Sequence, residues 1–367
     1  MLEHDVAWSD AEGLLRRRST RDSRPMTGDS RKTPDARPST GDSRSRRRER
    51  GIALLLALLV LAILILLVGQ MVITSAHNRS VSRNATAALQ NEYGALAGYR
   101  LALVRLEADA KKSPDLDTLD DLWASPFTVA VGISLVQGRI TDAERRFNLS
   151  ALVNSEGEVV PAAKDQLVRL ISILGHEGAE NAARIVDYVD ADTQGDYEAG
   201  AKNAPLLNLQ ELQRVEGLKR EVLFGDVQRR GILPYVTVWP KGGAVKINPN
   251  TATVEVIQSL DDDMTPELAQ AIVSWRGSTA EDGKKKSFTK AEDLLAVPGM
   301  TNPLQAKIAG RLVYKSSAFE VHVISTAGGV VRKELYVVGR GAKSDSPFEL
   351  LGAMREHDYF DLKPEDE

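Results

Sequence analysis

An unbroken apolar segment near the start of the chain constrains the fold most. It covers residues 52–68 and follows the arginine-rich residues 46–50 after a single glycine, Gly51. With residues 69–73 it approaches the ~20 residues that a helix needs to cross a bilayer. The arginines are expected to hold its N-terminal end in the cytoplasm, so we predict that the rest of the chain is exported.

The position of the glycine separates two kinds of membrane segment. A secretory signal peptide has its small-residue cleavage site after the apolar core, whereas Gly51 comes before it. This order resembles type IV prepilins and pseudopilins, in which a membrane peptidase cuts after the glycine. The resemblance implies cleavage between Gly51 and Ile52 by a prepilin peptidase, with Ile52 then methylated. An uncleaved signal anchor is the alternative.

Charge divides the chain at the apolar segment. Residues 1–50 hold 13 Lys/Arg and 9 Asp/Glu, which leaves the remainder acidic and argues against an electrostatic nucleic-acid binder. The polar composition of residues 1–51 predicts a disordered, basic cytoplasmic leader that is removed by cleavage, although an upstream, mis-assigned start codon is also possible. The chain has no cysteine and five scattered histidines, so thiolate metal sites are excluded and no histidine motif of a metallohydrolase occurs.

Helical periodicity continues beyond the apolar segment. No proline interrupts residues 52–112, and apolar residues recur there at spacings of three and four, namely Leu89, Tyr93, Leu96, Tyr99, Leu103 and Leu106. We predict one long N-terminal helix, anchored in the membrane at one end and packed through this stripe on a globular domain. Two helices with a break near Gly69 or Gly94 are the alternative.

Strand patterns occur in two places far apart in the sequence. Residues 127–133 and 134–140 alternate with a period of two, as do residues 319–325 and 330–338, whereas the chain between them has helical periodicity. We therefore predict an α+β fold with an antiparallel sheet that is interrupted by a large all-α insertion. The expected division is 1–51 leader, 52–112 helix, 113–149 first sheet part, 150–313 insertion (150–246 and 247–313), 314–341 last strands and 342–367 acidic tail.

The second part of the insertion resembles a helix-hairpin-helix or SAM-like module. In DNA-binding versions a glycine-rich hairpin presents backbone N–H groups to phosphate. Here the first hairpin carries Asp261, Asp262 and Asp263, and the second keeps only Gly299. Three carboxylates would repel phosphate, so the sequence favours a packing module over DNA binding.

A carboxylate-rich loop follows a predicted helix that ends near residue 189. Asp190, Asp192, Asp196 and Glu198 occupy positions one, three, seven and nine around a glycine, partly like an EF-hand loop. Ala201 stands where the bidentate glutamate belongs, so calcium would need a further ligand such as Asp187 or Asn203. A polar turn without a metal is the alternative.

Taken together, these segments resemble the minor pseudopilin K family of the type II secretion system. The matching segments are the Arg50–Gly51–Ile52 junction with its helix, the Asp190–Asp192 loop, and residues 146–152, 203–206, 209–212, 215–217 and 247–252. The resemblance implies a non-enzymatic subunit that joins minor pseudopilins I and J at the pseudopilus tip, helps initiate assembly and binds calcium. It also implies a single-pass protein of the bacterial inner membrane.

One position departs from most pilins. Their fifth mature residue is a glutamate that neutralises the N-terminal amine of a neighbouring subunit, whereas counting from Ile52 gives Leu56 here. Because an unpaired charge within a membrane is costly, a subunit with leucine cannot neutralise a subunit stacked above it. Members of the K family share this absence, which predicts a terminal place in the filament. The alternative to a minor pseudopilin is a membrane-anchored DNA-uptake protein that binds DNA through the helix-hairpin-helix part. The sequence shows no spacing of a nucleophile and a base that would indicate an enzyme.

Overall fold

The computed structural model describes the greater part of the chain, namely residues 43–242, 244–280, 283, 285–341 and 347–355. Contacts divide it into two compact units, one ending at Ile73 and the other beginning at Thr74. In the described part there is one helix long and apolar enough to cross a membrane.

That helix, α1, spans Ser43–Lys112. The prediction of a disordered leader over 1–51 is therefore wrong for residues 43–51, while residues 1–42 lie outside the described residues. Residues 43–50 contain neither proline nor glycine, and extending an existing helix avoids the cost of nucleation. The alternative of a break near Gly69 or Gly94 is also wrong, because α1 is continuous through both.

The described strands are β1 (Phe127–Val131), β2 (Ser134–Asp142), β3 (Phe147–Asn148), β4 (Val236–Thr237), β5 (Ala318–Ala327), β6 (Val330–Arg340) and β7 (Phe348–Arg355). Five of them form an antiparallel sheet in the order β1-β2-β5-β6-β7. Because β2 pairs directly with β5, with Asp142 opposite Phe319, the insertion leaves and re-enters the sheet at neighbouring points. The predicted α+β fold with a divided antiparallel sheet is confirmed.

Strand β7 corrects the prediction of a tail over residues 342–367. It pairs with β6, with Ala353 opposite Tyr336, and Phe348 is 3% exposed. The sequence did not predict the strand because the adjacent Leu350 and Leu351, followed by Gly352, interrupt its apolar alternation at a register shift. Residues 342–346 and 356–367 lie outside the described residues.

The insertion contains α2 (Pro161–Ile173), α3 (Gly178–Val189), α4 (Arg220–Phe224), α5 (Val254–Gln258), α6 (Pro266–Arg276) and α7 (Asn302–Ala309). The prediction of an all-α insertion is wrong, because the insertion contains β4, which pairs in parallel with β3. Phe147 and Val236, which face each other in this pair, are both fully buried, so their backbone groups need partners inside the protein.

Small residues on α1 make the contact with the sheet. A Cβ atom on Gly94 would lie 2.3 Å from Ser325 Oγ, and one on Gly98 would lie 2.7 Å from Val323 Cγ1. The predicted stripe is wrong in its first half, since Leu89, Tyr93 and Leu96 are 52%, 59% and 39% exposed. Its second half does face the sheet, where Tyr99 stacks on Tyr336 and Leu106 is buried. Larger side chains at the glycine positions would separate helix and sheet.

A buried asparagine fastens the insertion to the sheet. Asn248 is fully buried, and its Nδ2 donates to Asp142 Oδ2 and Ser316 Oγ, each at 3.1 Å, and to the backbone oxygen of Asp117 at 3.1 Å. Thr251 also donates its hydroxyl to Asp142 Oδ2, at 2.5 Å. The segment 247–252 therefore connects the insertion to the sheet through buried hydrogen bonds.

Candidate functional site

The loop after α3 gathers carboxylates at the surface of the insertion. Ligand atoms of Asp190, Asp192 and Glu198 all lie within 4.8 Å of one another. Asp190 ends the helix, where its N–H donates to the backbone oxygen of Val186 at 2.9 Å. The spacing therefore identified three of the four predicted ligands correctly as neighbours, whereas Asp196 is outside this group.

Buried oxygen atoms in this loop have no hydrogen-bond donor. They are Asp190 Oδ1, Glu198 Oε1 and Asn203 Oδ1. Burial, and after it the charges of Asp192 and Glu198, raise the pKa of Asp190 to about 6. Oxygen atoms that lack donors and repel one another match the ligand chemistry of a hard cation such as calcium.

Two further residues shape the loop in different ways. Asp187 accepts the N–H of Tyr197 at 3.0 Å with Oδ2, and a Cβ atom on Gly195 would lie 2.3 Å from that oxygen. Asn203 adopts a left-handed φ of 50° and donates from Nδ2 to the backbone oxygen of Asp192. Asp187 and Asn203 were the two further ligands suggested from sequence. Asn203 has a side-chain oxygen without a hydrogen-bond donor, whereas Asp187 accepts a hydrogen bond from the loop backbone.

Sequence reasoning missed one support of this loop. The backbone oxygen of Gly157 accepts the N–H of Ala191 at 3.0 Å, and a Cβ atom on Gly157 would lie 2.4 Å from that of Ala191. Gly157 has a φ of +82° at the end of a turn that begins at Asn154. The glycine-containing turn is visible in the sequence, but its contact across 34 positions of the chain is not.

The predicted cleavage and assembly residues lie on the membrane-type part of α1. Gly51 is helical, and no atom lies within 4 Å of where its Cβ would be. Ile52 and Leu56 are 58% and 56% exposed. Their side chains are therefore available to lipid or to the helices of other subunits.

The acidic hairpin between α5 and α6 is paired with basic residues of the insertion. Asp263 lies 2.5 Å from Lys307 Nζ, Asp261 lies 3.5 Å from the same atom, and Asp262 lies 3.3 Å from Arg169 Nη1. The cations of neighbouring helices thus face carboxylates at this hairpin rather than solvent. This geometry favours the packing module predicted above and gives the DNA-uptake alternative no support at the hairpin.

The long N-terminal helix, its close contact with an antiparallel sheet and the apolar first part define a membrane-anchored, pilin-like subunit. Residues 145–241 and 247–314 match the two family models described as type II secretion system (T2SS), protein K. The chain is 30% identical to type II secretion system protein K of Pseudomonas aeruginosa, over 67% of this chain and 77% of that protein. It is 32% identical to the Klebsiella pneumoniae protein, over 56% and 67% respectively. The chain belongs to the type II secretion system protein K family.

A solved structure has the same fold. It is the crystal structure of the GspK-GspI-GspJ complex from enterotoxigenic Escherichia coli, with a TM-score of 0.62 and 20% identity over 75% of this chain and 99% of that chain. The resemblance predicted from the sequence is thereby confirmed. The chain is a minor pseudopilin of a type II secretion system, a structural component of protein secretion. Its apolar helix fits a single-pass protein of the inner membrane.

Proposed function

We propose that this minor pseudopilin forms the tip of a periplasmic pseudopilus together with minor pseudopilins I and J and helps initiate its assembly. The observation that carries the proposal is the similarity to a solved chain whose structure is described as a complex of K, I and J. The match covers 75% of this chain and 99% of that chain, so nearly the whole fold of that chain is present here.

The proposed tip position rests on two features of the chain. Leu56 offers no carboxylate to the N-terminal amine of a subunit above, and a buried unpaired amine is costly. The insertion adds the bulk of residues 150–313 at one end of the sheet, where β2 ends and β5 begins. Both features act against a further subunit above this one, and neither acts against a subunit below.

The proposed orientation and processing follow from the N-terminal junction. Arginines at 46–48 and 50 favour a cytoplasmic N-terminus, which leaves the sheet and insertion in the periplasm. Gly51 presents backbone without a side chain, and this suits cleavage before Ile52 by a prepilin peptidase.

We also propose that the loop after α3 binds calcium. The carboxylates of Asp190, Asp192 and Glu198 would hold the ion, with Asn203 Oδ1 as a further oxygen ligand. The bound cation would stabilise the loop by relieving the repulsion among these oxygens.

Co-purification tests the assembly proposal. The full chain, with an affinity tag at its C-terminus, is expressed in its host with the I and J pseudopilins and extracted in mild detergent. We expect both partners to be retained in stoichiometric amounts, and to be lost when the periplasmic unit after residue 73 is removed. Recovery of the full chain without I and J, from cells that contain both, would contradict the proposal.

A further inference from the structure

A wide groove runs beneath the insertion, on the sheet face that α1 leaves uncovered. Its volume is about 1910 Å³. Its floor includes three side chains from adjacent strands, since His322 of β5 lies opposite Leu335 of β6, which lies opposite Met354 of β7. Tyr235 and Trp239 of the insertion belong to its wall.

The groove is basic. Among the described residues that line it, nine are lysine or arginine and five are aspartate or glutamate. Arg145, three residues after the end of β2, and Arg276, at the end of α6, line it from different parts of the unit. Burial, and after it the charge of Arg145, lowers the pKa of Arg276 to about 10. The two guanidinium groups repel each other, and together they create a positive potential that stabilises a bound anion.

The chain supplies an acidic segment next to this groove. Strand β7 ends at Arg355, and Met354, one residue earlier, already lines the groove. The twelve residues that follow, 356–367, contain six aspartates and glutamates, one lysine and the aromatic pair Tyr359 and Phe360. At ~3.3 Å per residue an extended segment of this length can span ~40 Å from the edge of the groove.

We propose that residues 356–367, the acidic tail, bind this basic groove as an intramolecular ligand. The carboxylates would neutralise the arginine side of the groove, and the aromatic pair suits the apolar wall near Tyr235 and Trp239. Because the tail is tethered, its effective concentration is of the order of millimolar, so even a weak peptide affinity fills the groove. Occupancy by the tail would link the edge of the sheet to the insertion and exclude acidic segments of other proteins.

Peptide binding to two forms of the protein tests the proposal. The full chain and a variant that ends at Arg355 are purified in detergent, and a fluorescent peptide with the sequence of residues 356–367 is titrated into each. We expect the shortened variant to bind the peptide, and the full chain to bind it at least ~10-fold more weakly because its own tail competes. Binding should weaken strongly between about 0.05 and about 0.5 M salt, since the attraction is electrostatic.

Matched variants keep the test decisive. A peptide with its carboxylates replaced by amides should not bind, and Arg276→Gln in the shortened variant should weaken binding more than Arg276→Lys, which keeps the charge. Circular dichroism checks that both variants are folded. The proposal is overturned if the shortened variant does not bind, if both forms bind equally, or if the amide peptide binds as well as the acidic one.

Discussion

Arg146 Nη1 lies 2.5 Å from Glu320 Oε2, and this ion pair joins the segment between β2 and β3 to the central strand β5. Glu320 is 4% exposed and also accepts the hydroxyl of Thr237 at 3.2 Å. Burial alone would raise the pKa of Glu320, but the charges of Arg146 and His322 lower it to about 2. The pair therefore stabilises the folded state only while Glu320 is ionised.

Replacing Glu320 by glutamine should reveal this dependence. The pKa of the carboxyl is about 2 when folded and about 4.5 when unfolded, so its stabilisation is complete above pH 4.5 and is lost as the pH falls towards 2. We expect Glu320→Gln to lower the free energy of unfolding by about 3 kcal/mol at pH 7, and the deficit to shrink at acid pH. Urea unfolding of the full chain in detergent, followed by tryptophan fluorescence, measures both.

The matched control is Asp262→Asn, which removes an exposed carboxylate paired with Arg169. Exposed ion pairs contribute about 0–1 kcal/mol, so this variant should unfold nearly as the unmodified chain does. A deficit for Glu320→Gln that stays constant from pH 7 to pH 3 would show that the ion pair is not its cause.

The close contact of α1 with the sheet predicts an unusual effect of alanine. Alanine favours a helix over glycine by ~1 kcal/mol, but a Cβ at position 98 would lie 2.7 Å and 2.9 Å from methyl groups of Val323 and Val136. We expect Gly98→Ala to lower the free energy of unfolding by about 1–3 kcal/mol, because the helix must move away from the sheet.

Gly310→Ala is the control for that substitution. Gly310 has a helical φ of −68° at the end of α7, and no atom lies within 4 Å of where its Cβ would be. It should be neutral or slightly stabilising in the same urea titration. Equal behaviour of the two alanine variants would mean that helix and sheet can separate without cost.

Processing at the N-terminal junction should produce a mature chain that begins at Ile52. Gly51→Val places a branched side chain next to the scissile bond, so we expect the leader to be retained. Gly69→Ala, at another glycine of α1 with open space around it, should be processed normally. Intact mass and N-terminal sequencing of membrane-extracted protein distinguish these forms, and retention of the leader by the unmodified chain would exclude cleavage.

Calcium should raise the melting temperature of the full chain. Binding to the folded state alone adds about 2.7 kcal/mol when calcium is at 100 times its dissociation constant. Asp192→Asn should abolish the rise, because Asp192 belongs to the carboxylate group, and Asp196→Asn should largely keep it, because Asp196 does not. If calcium has no effect on the unmodified chain, the loop is only a polar turn.

Predictions from sequence succeeded where the determining contacts are local. Alternation identified β2 and β5, and spacing correctly predicted that Asp190, Asp192 and Glu198 are neighbours, because a strand face and a loop are both determined over a few residues. The first half of the predicted packing face of α1 was wrong, since Leu89, Tyr93 and Leu96 carried the apolar pattern there, whereas Gly94 and Gly98 make the close contact.

Most features of the fold that could not be predicted from the sequence depend on contacts between residues far apart in the chain. The role of Asn248 depends on Asp142, which is 106 positions away, and on Ser316, which is 68 away. Nothing near residue 248 in the sequence identifies these partners. The β7 strand depends in the same way on β6, because its own alternation is weak and its hydrogen bonds come from the neighbouring strand.

Two features are proposed to confine this subunit to the pseudopilus tip, namely Leu56 and the insertion. Leu56→Glu restores a carboxylate that can neutralise the amine of a subunit above, but it leaves the insertion in place. We expect Leu56→Glu alone to keep the protein at the tip. Because Asp142 lies opposite Phe319, a short turn can replace residues 143–317, and we expect this deletion combined with Leu56→Glu to begin to enter the shaft.

Immunogold labelling of isolated pseudopili measures the distribution of each form along the filament. The deletion with Leu56 retained is the control, and it should remain at the tip because the overlying amine still lacks a carboxylate. We thus expect Leu56 and the insertion each to be sufficient to keep the subunit at the tip, so that only the double change moves it into the shaft. Even labelling of the unmodified chain along the shaft would contradict both the electrostatic and the steric part of this prediction.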